Sequence, residues 1–157
     1  KKDGTVTAAS SSGISDGAAA LVLACESYAA AQSRKPLARI LGYASFAREP
    51  EWFTLAPVGA MQKLLAQLNW QAKDVDLYEI NEAFAAVTMA AMRDLDLDHQ
   101  KVNVNGGACA LGHPIGATGA RIMTTLLYAL RARGKQRGIA SLCIGGGEAT
   151  AIAIELM

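Results

Sequence analysis

The sequence lacks the features of membrane-spanning, nucleic-acid-binding and disulfide-rich proteins. None of its apolar runs approaches the ~18 residues of a membrane span. Its 15 basic and 14 acidic residues leave a net charge of +1, so no excess charge indicates a nucleic acid or a membrane surface as partner. Three cysteines without a signal-like N-terminus favour free thiols in a reducing compartment, which we take as the cytoplasm or, in a eukaryote, an organelle.

The sequence also lacks the spacings of metal and phosphate sites. Its three cysteines and two histidines do not show the paired spacing of zinc ligands. Three glycines follow Cys143, but no Gly-Lys-Ser/Thr comes after them, so they are no phosphate loop. We therefore expect neither a metal nor a cofactor.

The composition is that of a globular domain. With 157 residues, 52% of them hydrophobic and 18% charged, the chain can bury one core. From Pro36 onward, short apolar runs alternate with amphipathic stripes, which predicts an α/β sheet layered with helices. The sheet is mixed if its last two strands form a hairpin across residues 145–147. The predicted strands cover residues 17–24, 37–46, 75–80, 102–104, 139–144 and 149–156, and the predicted helices cover 26–33, 57–68, 82–95 and 116–130, with loops over 4–17 and 48–56.

Residues 101–120 combine a β-prone run, two Gly-rich turns and a helix start. His113 falls in the loop just before the predicted helix. Free backbone N–H groups and the positive end of the helix dipole would lie there, near any anionic oxygen held beside the imidazole. A lone histidine in a Gly-rich turn is more often structural, so this spacing alone leaves both a structural and a catalytic role open.

Two other segments end in a polar or thiol residue. Residues 79–85 and 141–147 each place a short apolar strand before Asn81 or Cys143. The strand ends of one parallel sheet gather at one edge, where α/β proteins place their ligands. We therefore expect Asn81, His113 and Cys143 to meet at this edge.

These segments resemble the three C-terminal motifs of thiolases, the acyl-CoA acyltransferases that make or cleave 3-oxoacyl-CoA. The motifs are Asn-Glu-Ala-Phe-Ala at 81–85, Gly-His-Pro-Ile-Gly at 112–116 and Cys-Ile-Gly-Gly-Gly at 143–147. The resemblance extends over nearly the whole chain, with the motifs in order. It implies a thiolase-like layered fold, with a mixed sheet and helices on both faces.

A thiolase is normally much longer than this chain, and its nucleophilic cysteine lies in the N-terminal half. The resemblance implies that residues 1–35 are the tail of that half and that residues 36–157 are the C-terminal domain. The chain starts at Lys1 rather than Met, which we interpret as a fragment or a cleaved chain. A faint repeat between residues 17–26 and 147–155 fits two similar halves. We expect the chain alone to be inactive because it lacks the nucleophile.

The resemblance also implies roles for four residues. His113 would take the proton of the nucleophilic cysteine, since a free thiol is mostly protonated at neutral pH. Asn81 would hold a water that joins His113 Nε2 in one oxyanion site. Cys143 would remove the α-proton of a second acyl-CoA and later return a proton. The Gly145 N–H would share a second oxyanion site with the missing cysteine.

Coenzyme A thioesters are the implied substrates. Ser12 and Gly13 match the Ser-Gly of thiolases that lies against the pantetheine arm, although their composition alone favours a plain linker. Ala83 and Phe84 of the first motif are expected at the same substrate. Phe53 could be either a core residue or the apolar edge of a coenzyme A tunnel.

Six positions stand apart from these roles. The family usually has Gly-Asn where this chain has Ala9-Ser10, and Met-Gly or Gln-Gly where it has Glu148-Ala149. Cys25 lies inside an apolar run and is predicted to be a small core residue. Cys109 occupies a position where thiolases accept an aliphatic residue, so we expect it to pack as well.

The resemblance implies a thiolase that condenses two acetyl-CoA to acetoacetyl-CoA or runs the reverse thiolysis. Its partners would be acyl-CoA, coenzyme A and the N-terminal half of the same enzyme, with a homodimer or homotetramer for the intact protein. Two alternatives are a thiolase-like coenzyme A- or lipid-binding protein without catalysis and another condensing enzyme of the superfamily. Ketoacyl synthases typically have His at the position of Asn81, which argues against them.

Overall fold

A computed structural model describes residues 3–157, and their centre is a four-stranded sheet. Its strands are β1 (Ala38–Ala47), β2 (Leu77–Ile80), β3 (Arg137–Cys143) and β4 (Glu148–Leu156), in the order β1-β4-β3-β2. β2 and β3 run parallel, whereas β4 is antiparallel to both β3 and β1. The predicted mixed sheet and its terminal hairpin are thus confirmed. Lys1 and Lys2, the start of the predicted N-terminal tail, lie outside the described residues.

Five helices accompany the sheet in the described part of the chain. They are α1 (Glu26–Ala31), α2 (Ala56–Leu68), α3 (Ala85–Leu95), the one-turn α4 (Ala108–Leu111) and α5 (Thr118–Ala132). Short 3-10 turns cover Ala8–Ser10, Pro50–Leu55, Ala72–Asp74 and His99–Lys101. Within residues 3–157, no helix is long and apolar enough to cross a membrane.

The helices cover both faces of the sheet, as the fold prediction requires. On one face, Met61 and Leu64 of α2 and Val87 of α3 share a buried cluster with Ile139 of β3. On the other face, the apolar stripe of α5 packs on the sheet, with Leu126 fully buried. Burying one such side chain contributes about 1.5–3 kcal/mol, so the two clusters hold the three layers together.

The residue types at the helix ends fit the backbone conformations found there. Asn69 ends α2 in the left-handed conformation with φ 53°, as its type and position predict. Gly134 has φ 62° just after α5, where a residue with a Cβ would be strained. α3 begins at Ala85 rather than at residue 82, because Phe84 keeps an extended backbone with φ −138° as its N-cap.

The predicted strand over residues 17–24 is wrong. This segment has no regular secondary structure and no strand partner among residues 3–157. An apolar run becomes a strand only where a neighbour supplies hydrogen bonds, and here Val22 is 99% exposed. The prediction that Cys25 is a core residue is also wrong. Cys25 is exposed, because it directly follows this uncovered segment.

The predicted strand over residues 102–104 is also wrong. Val102 forms a single bridge with Tyr78, and the backbone then turns at Asn103, which has φ 47°. The Asn103 side chain accepts from the Ile80 N–H at 2.8 Å and donates to the Ile80 carbonyl at 2.9 Å. A side-chain amide therefore takes the place of a strand at this edge of β2. The predicted loop over residues 48–56 likewise contains a 3-10 turn.

Candidate active site

The predicted strand ends meet at one edge of the sheet, but only two of them belong to strands. Asn81 directly follows β2, and its N–H donates to the Ser141 carbonyl of β3 at 2.9 Å. Cys143 is the last residue of β3. His113 lies in the loop between α4 and α5, just before α5, as the sequence predicts. The third expected strand, at residues 102–104, is absent, so the ends of two parallel strands and one loop form this edge.

Hydrogen bonds fix the tautomer of His113. The Thr118 hydroxyl donates to the Pro114 carbonyl at 3.0 Å, so its oxygen is left to accept from His113 Nδ1, 2.6 Å away. Nδ1 then carries the proton and Nε2 keeps its lone pair. Asn81 Nδ2 donates to Nε2 at 3.4 Å. Nε2 is thus the basic nitrogen, and it lies beside Asn81.

The surroundings of His113 and Asn81 suit a reacting group. Burial, followed by the positive charge of Arg121, lowers the pKa of His113, so the imidazole is neutral at pH 7. Asn81 is 1% exposed, and its Oδ1 has no hydrogen-bond partner in residues 3–157. A buried amide oxygen without a partner is rare in folded proteins, and it can accept from a small ligand or a water.

Cys143 lies in an apolar environment. It is buried in the same cluster as Ala83, Phe84 and Phe53, and this burial raises the pKa of its thiol. The side chain is therefore a thiol at neutral pH. A group of this kind can donate a proton, and once deprotonated it is a strong base.

A tight turn follows Cys143. Ile144 donates its N–H to the Glu148 carbonyl at 2.7 Å, and Gly147 has φ 105°. A Cβ on Gly147 would collide with the Arg48 carbonyl, so only glycine fits there. Gly145 is exposed at the tip of the turn, and its N–H takes part in no hydrogen bond between described residues. This N–H is free to meet a ligand.

The loop over residues 11–13 is attached to both motifs. Ser12 donates from its N–H and its hydroxyl to the Ala83 carbonyl at 3.1 and 3.2 Å. Ser11 bridges Phe84, and the Gly13 carbonyl accepts from the His113 N–H at 2.9 Å. The structure thus brings Ser12, Gly13 and Ala83 next to His113.

Phe53 packs edge-to-face on Phe84, with ring centroids 6.2 Å apart and an interplanar angle of 67°. Phe53 is half-buried, so one part of the ring belongs to the core and the other part faces outward. Both readings of Phe53 given by the sequence therefore remain compatible with its position. The pair links the 3-10 turn at Pro50–Leu55 to the first motif.

A shallow cavity of about 430 Å³ lies next to His113. Residues 15–19 form one side, and Pro114 to Ala117 form the other. Gly17 allows this close approach, since a Cβ there would come within 2.7 Å of the Pro114 ring. Another open cavity of about 460 Å³ lies against His99 and Arg133 and includes none of the predicted site residues.

Glu82 is a site residue that the sequence reasoning missed. Its carboxylate accepts from the Cys109 N–H at 3.1 Å and from Asn103 Nδ2 at 3.2 Å. The carboxylate also fills the place of a Cβ at Gly107. Glu82 thereby holds the loop that carries His113. In the sequence, the Gly106-Gly107 pair was the feature that could have indicated this contact, because Gly107 has no Cβ to exclude the carboxylate. Cys109 is half-buried on this loop, consistent with a packing role.

Three further residues were missed, namely Thr118, Glu79 and Arg121. Thr118 is 1% exposed and orients His113. Glu79 is 2% exposed inside β2 and lies 3.9 Å from Arg121 of α5. Burial, opposed by Arg121 and helped by Glu82, raises the pKa of Glu79 to about 7. In the sequence, an acidic residue inside an otherwise apolar strand was the feature that could have indicated Glu79.

The chain matches two family models, described as "Thiolase, C-terminal domain" over residues 34–156 and "Thiolase, N-terminal domain" over residues 1–27. It is similar to the acetyl-CoA acetyltransferase of Escherichia coli, with 56% identity over 154 residues. That alignment covers 98% of this chain and 39% of the relative.

Solved structures give the same result. The acetyl-CoA acetyltransferase of Bacillus anthracis superimposes with a TM-score of 0.97 at 50% identity, covering 100% of this chain and 40% of that one. The Acat5 thiolase of Ascaris suum in complex with coenzyme A gives 0.89 at 42% identity, covering 98% and 40%. The chain therefore spans about 40% of the length of the proteins it matches. By its sequence motifs, its fold and these matches, the chain belongs to the thiolase family.

Proposed function

We propose that the complete protein is an acetyl-CoA C-acyltransferase, which condenses two acetyl-CoA to acetoacetyl-CoA or runs the reverse thiolysis. The observation that supports this most is the pair formed by His113 Nε2 and Asn81 Nδ2 at 3.4 Å, with Thr118 holding the tautomer. A basic nitrogen beside a buried amide suits a thioester reaction, which needs both a proton acceptor and an oxyanion donor. The chain contributes this part of the active site.

The first half-reaction forms an acyl-enzyme. His113 Nε2 takes the proton from a cysteine thiol supplied by the N-terminal part of the protein, and the thiolate attacks the thioester carbonyl. His113, now protonated, and a water on Asn81 stabilise the oxyanion. The carbon–sulfur bond to coenzyme A then breaks, and the departing sulfur receives the proton from Nε2. The neutral resting state of His113 prepares it for this exchange.

Cys143 serves the second half-reaction. In condensation, Cys143 first gives up its thiol proton to solvent. Its thiolate then removes the α-proton of a second acetyl-CoA, and the resulting carbanion attacks the acyl-enzyme. The Gly145 N–H donates to the new oxyanion. When this oxyanion collapses, the nucleophilic cysteine leaves as a thiolate and takes up a proton from solvent. In thiolysis the Cys143 thiol returns the proton to carbon, for which its protonated resting state is suited.

The remaining assignments concern binding and assembly. Ser12, Gly13, Ala83, Phe84 and Phe53 would contact the coenzyme A substrates. In support, Gly13 accepts from the His113 N–H, Ser12 donates to the Ala83 carbonyl, and Phe84 packs on the half-buried ring of Phe53. Residues 1–35 would complete the N-terminal half, and residues 36–157 would form the C-terminal domain. The intact enzyme would be a homodimer or homotetramer in the cytoplasm, with coenzyme A thioesters as substrates and no further cofactor.

Activity of the complete protein tests this function. Acetoacetyl-CoA and coenzyme A are mixed with it, acetyl-CoA formation is followed, and the protein mass is measured after rapid quenching. We expect turnover and a mass increase of one acetyl group on the nucleophilic cysteine. Binding of coenzyme A with neither turnover nor acylation would instead identify a thiolase-like binding protein.

A further inference from the structure

The carboxylate of Glu82, the residue directly after Asn81, joins the end of β2 to the segment that leads to His113. One oxygen, Oε2, accepts from the Cys109 N–H at 3.1 Å. The other, Oε1, accepts from Asn103 Nδ2 at 3.2 Å. Both oxygens therefore bind donors from the chain between β2 and α5, and each contact has its own anchor.

Asn103 anchors one end of this arrangement to the sheet. Its side chain accepts from the Ile80 N–H and donates to the Ile80 carbonyl, and its own N–H donates to the Tyr78 carbonyl at 2.9 Å. Asn103 is thus paired with β2 by three hydrogen bonds, in the way that a neighbouring strand would be. Glu82 Oε1 is therefore bonded to a group that is fixed with respect to β2.

Cys109 anchors the other end, in the four-residue helix α4. The first N–H groups of a helix have no partner within it, and here Glu82 satisfies that of Cys109. The Gly112 N–H, at the end of α4, donates to the Ala108 carbonyl at 2.8 Å, and His113 follows directly. One hydrogen-bonded turn therefore separates the Glu82 contact from His113, so a shift of this turn would also shift the imidazole.

The space for the Glu82 carboxylate is provided by Gly107. A Cβ on Gly107 would collide with this carboxylate, although the backbone there is extended, with φ −119°, and suits any residue. The side chain at position 82, and not the backbone, therefore requires glycine. Glu82 takes part in none of the ion pairs within residues 3–157. Its bonds go to neutral N–H donors, and bonds to a charged acceptor are about twice as strong as neutral ones.

We propose that Glu82, seated over Gly107, is a positioning residue that sets the distance between Asn81 and His113 Nε2. The role in catalysis rests on the proposed function, in which His113 takes a proton and Asn81 holds a water. Glu82 does not touch the reacting atoms. Because it is the neighbour of Asn81 in the chain, its bond to α4 fixes the two members of the pair relative to each other.

Chemical labelling of histidine in the complete protein tests the positioning without requiring activity. Diethyl pyrocarbonate acylates unprotonated imidazole nitrogens, and peptide mass spectrometry gives the rate at His113 relative to the exposed His99. Glu82→Gln keeps the size of the side chain but sets an NH2 group against one of the two donors. The relative rate at His113 should rise about tenfold, because the loop opens more often once this bond is lost.

Gly107→Ala breaks the same contact from the other side and leaves Glu82 in place. It should raise the labelling rate of His113 similarly, and the double variant should add little, since both changes remove one contact. Asp74→Asn is the matched control, because this carboxylate accepts from the Gln71 N–H at 2.8 Å in a short turn at the opposite end of β2. The proposal is overturned if either folded variant labels His113 at the wild-type rate, or if Asp74→Asn raises the rate equally.

Kinetics of the same variants connect the positioning to the reaction. Glu82→Gln and Gly107→Ala should lower kcat for thiolysis about tenfold to a hundredfold with little change in KM, because a small displacement of a catalytic group is costly. A merely structural Glu82 would lower the melting temperature and leave kcat and the His113 labelling in place, which would refute the positioning role. If the wild type formed no acetyl-CoA while the labelling changed as expected, the proposed function would fail and the positioning of His113 by Glu82 would stand.

Discussion

Residues 4–31 and residues 38–157 are held in different ways. The later region builds its own sheet and two buried clusters, whereas the earlier region leaves large apolar side chains such as Ile14, Val22 and Leu23 exposed. The earlier region is nevertheless tied to the site through Ser12 and Gly13. Residues 38–157 therefore supply the buried clusters that hold the fold, whereas both regions contribute residues to the site.

The largest expected effect comes from the chemistry of the later region. In the complete protein, His113→Ala removes both a base and an oxyanion donor, so acylation by acetyl-CoA should slow by about 10² to 10⁴. Quenched-flow mass spectrometry measures this step. His99→Ala, at an exposed position, is the matched control and should acylate normally. Near-native acylation by the His113 variant would show that this imidazole is structural.

Cys143→Ala separates the two half-reactions. The variant should still form the acyl-enzyme, because that step uses His113, while condensation and α-proton exchange of acetyl-CoA should drop by about 10² or more. Mass spectrometry and deuterium exchange into acetyl-CoA measure the two steps. Cys109→Ala removes a half-buried thiol of the same site and should keep both. Native exchange in the Cys143 variant would leave this thiol a packing residue.

Matched truncations compare the two regions directly. In the 157-residue chain, Leu126→Ala should lower the free energy of unfolding by about 2–5 kcal/mol, because Leu126 is fully buried under α5. Val22→Ala should change it by less than about 0.5 kcal/mol, since Val22 is exposed. Urea denaturation measures both. Equal costs would mean that residues 17–24 are packed in solution after all.

Glu79 should make stability depend on pH. Burial raises its pKa to about 7 from 4.5, so the folded chain keeps a proton that the unfolded chain releases. The stability this contributes is complete below pH 4.5 and is lost as the pH rises through 7, by about 1–3 kcal/mol. Urea midpoints at pH 5 and pH 7.5 measure this loss, and Glu79→Gln should reduce it. If Glu79→Gln lost as much stability between pH 5 and pH 7.5 as the wild type does, Glu79 would already be charged in the folded chain.

The smallest effect concerns the attachment of the earlier region. Ser12→Ala removes the hydroxyl bond to the Ala83 carbonyl but keeps the backbone bond, so it should cost about 0.5–1.5 kcal/mol at most. Hydrogen exchange of the His113 amide, which donates to Gly13, should speed up accordingly. Ser27→Ala, on the exposed helix α1, is the control. A larger loss would mean that this loop is more strongly coupled to the sheet than its contacts indicate.

The sequence was most informative where structure is local. The stripe of α2 and its end at Asn69 follow from spacing and residue type, and the β3–β4 hairpin follows from the glycines between two apolar runs. The strand predicted over residues 17–24 failed because strand formation depends on a distant partner, which no local pattern reveals. The division of the chain at residues 35 and 36 stays a prediction.

The sequence also predicted part of the site, but not the contacts that anchor it. Motif order placed Asn81 and His113 together, and their side chains do approach. The anchors of the site join residues far apart in sequence, as Glu82 does with Cys109 and Glu79 with Arg121. Only the fold shows which buried charge faces which partner, so these contacts could not be read from residue types.

The contact between His113 Nδ1 and Thr118 has a consequence for motion. Rotating the imidazole by half a turn would break the bonds on both ring nitrogens and direct a carbon at the buried Thr118 hydroxyl. The ring is therefore locked on the timescale in which exposed side chains change rotamer freely. A locked ring offers one nitrogen to the site, so every proton that His113 accepts there enters and leaves through Nε2. A deuteron placed on Nε2 would therefore leave His113 only through that same atom.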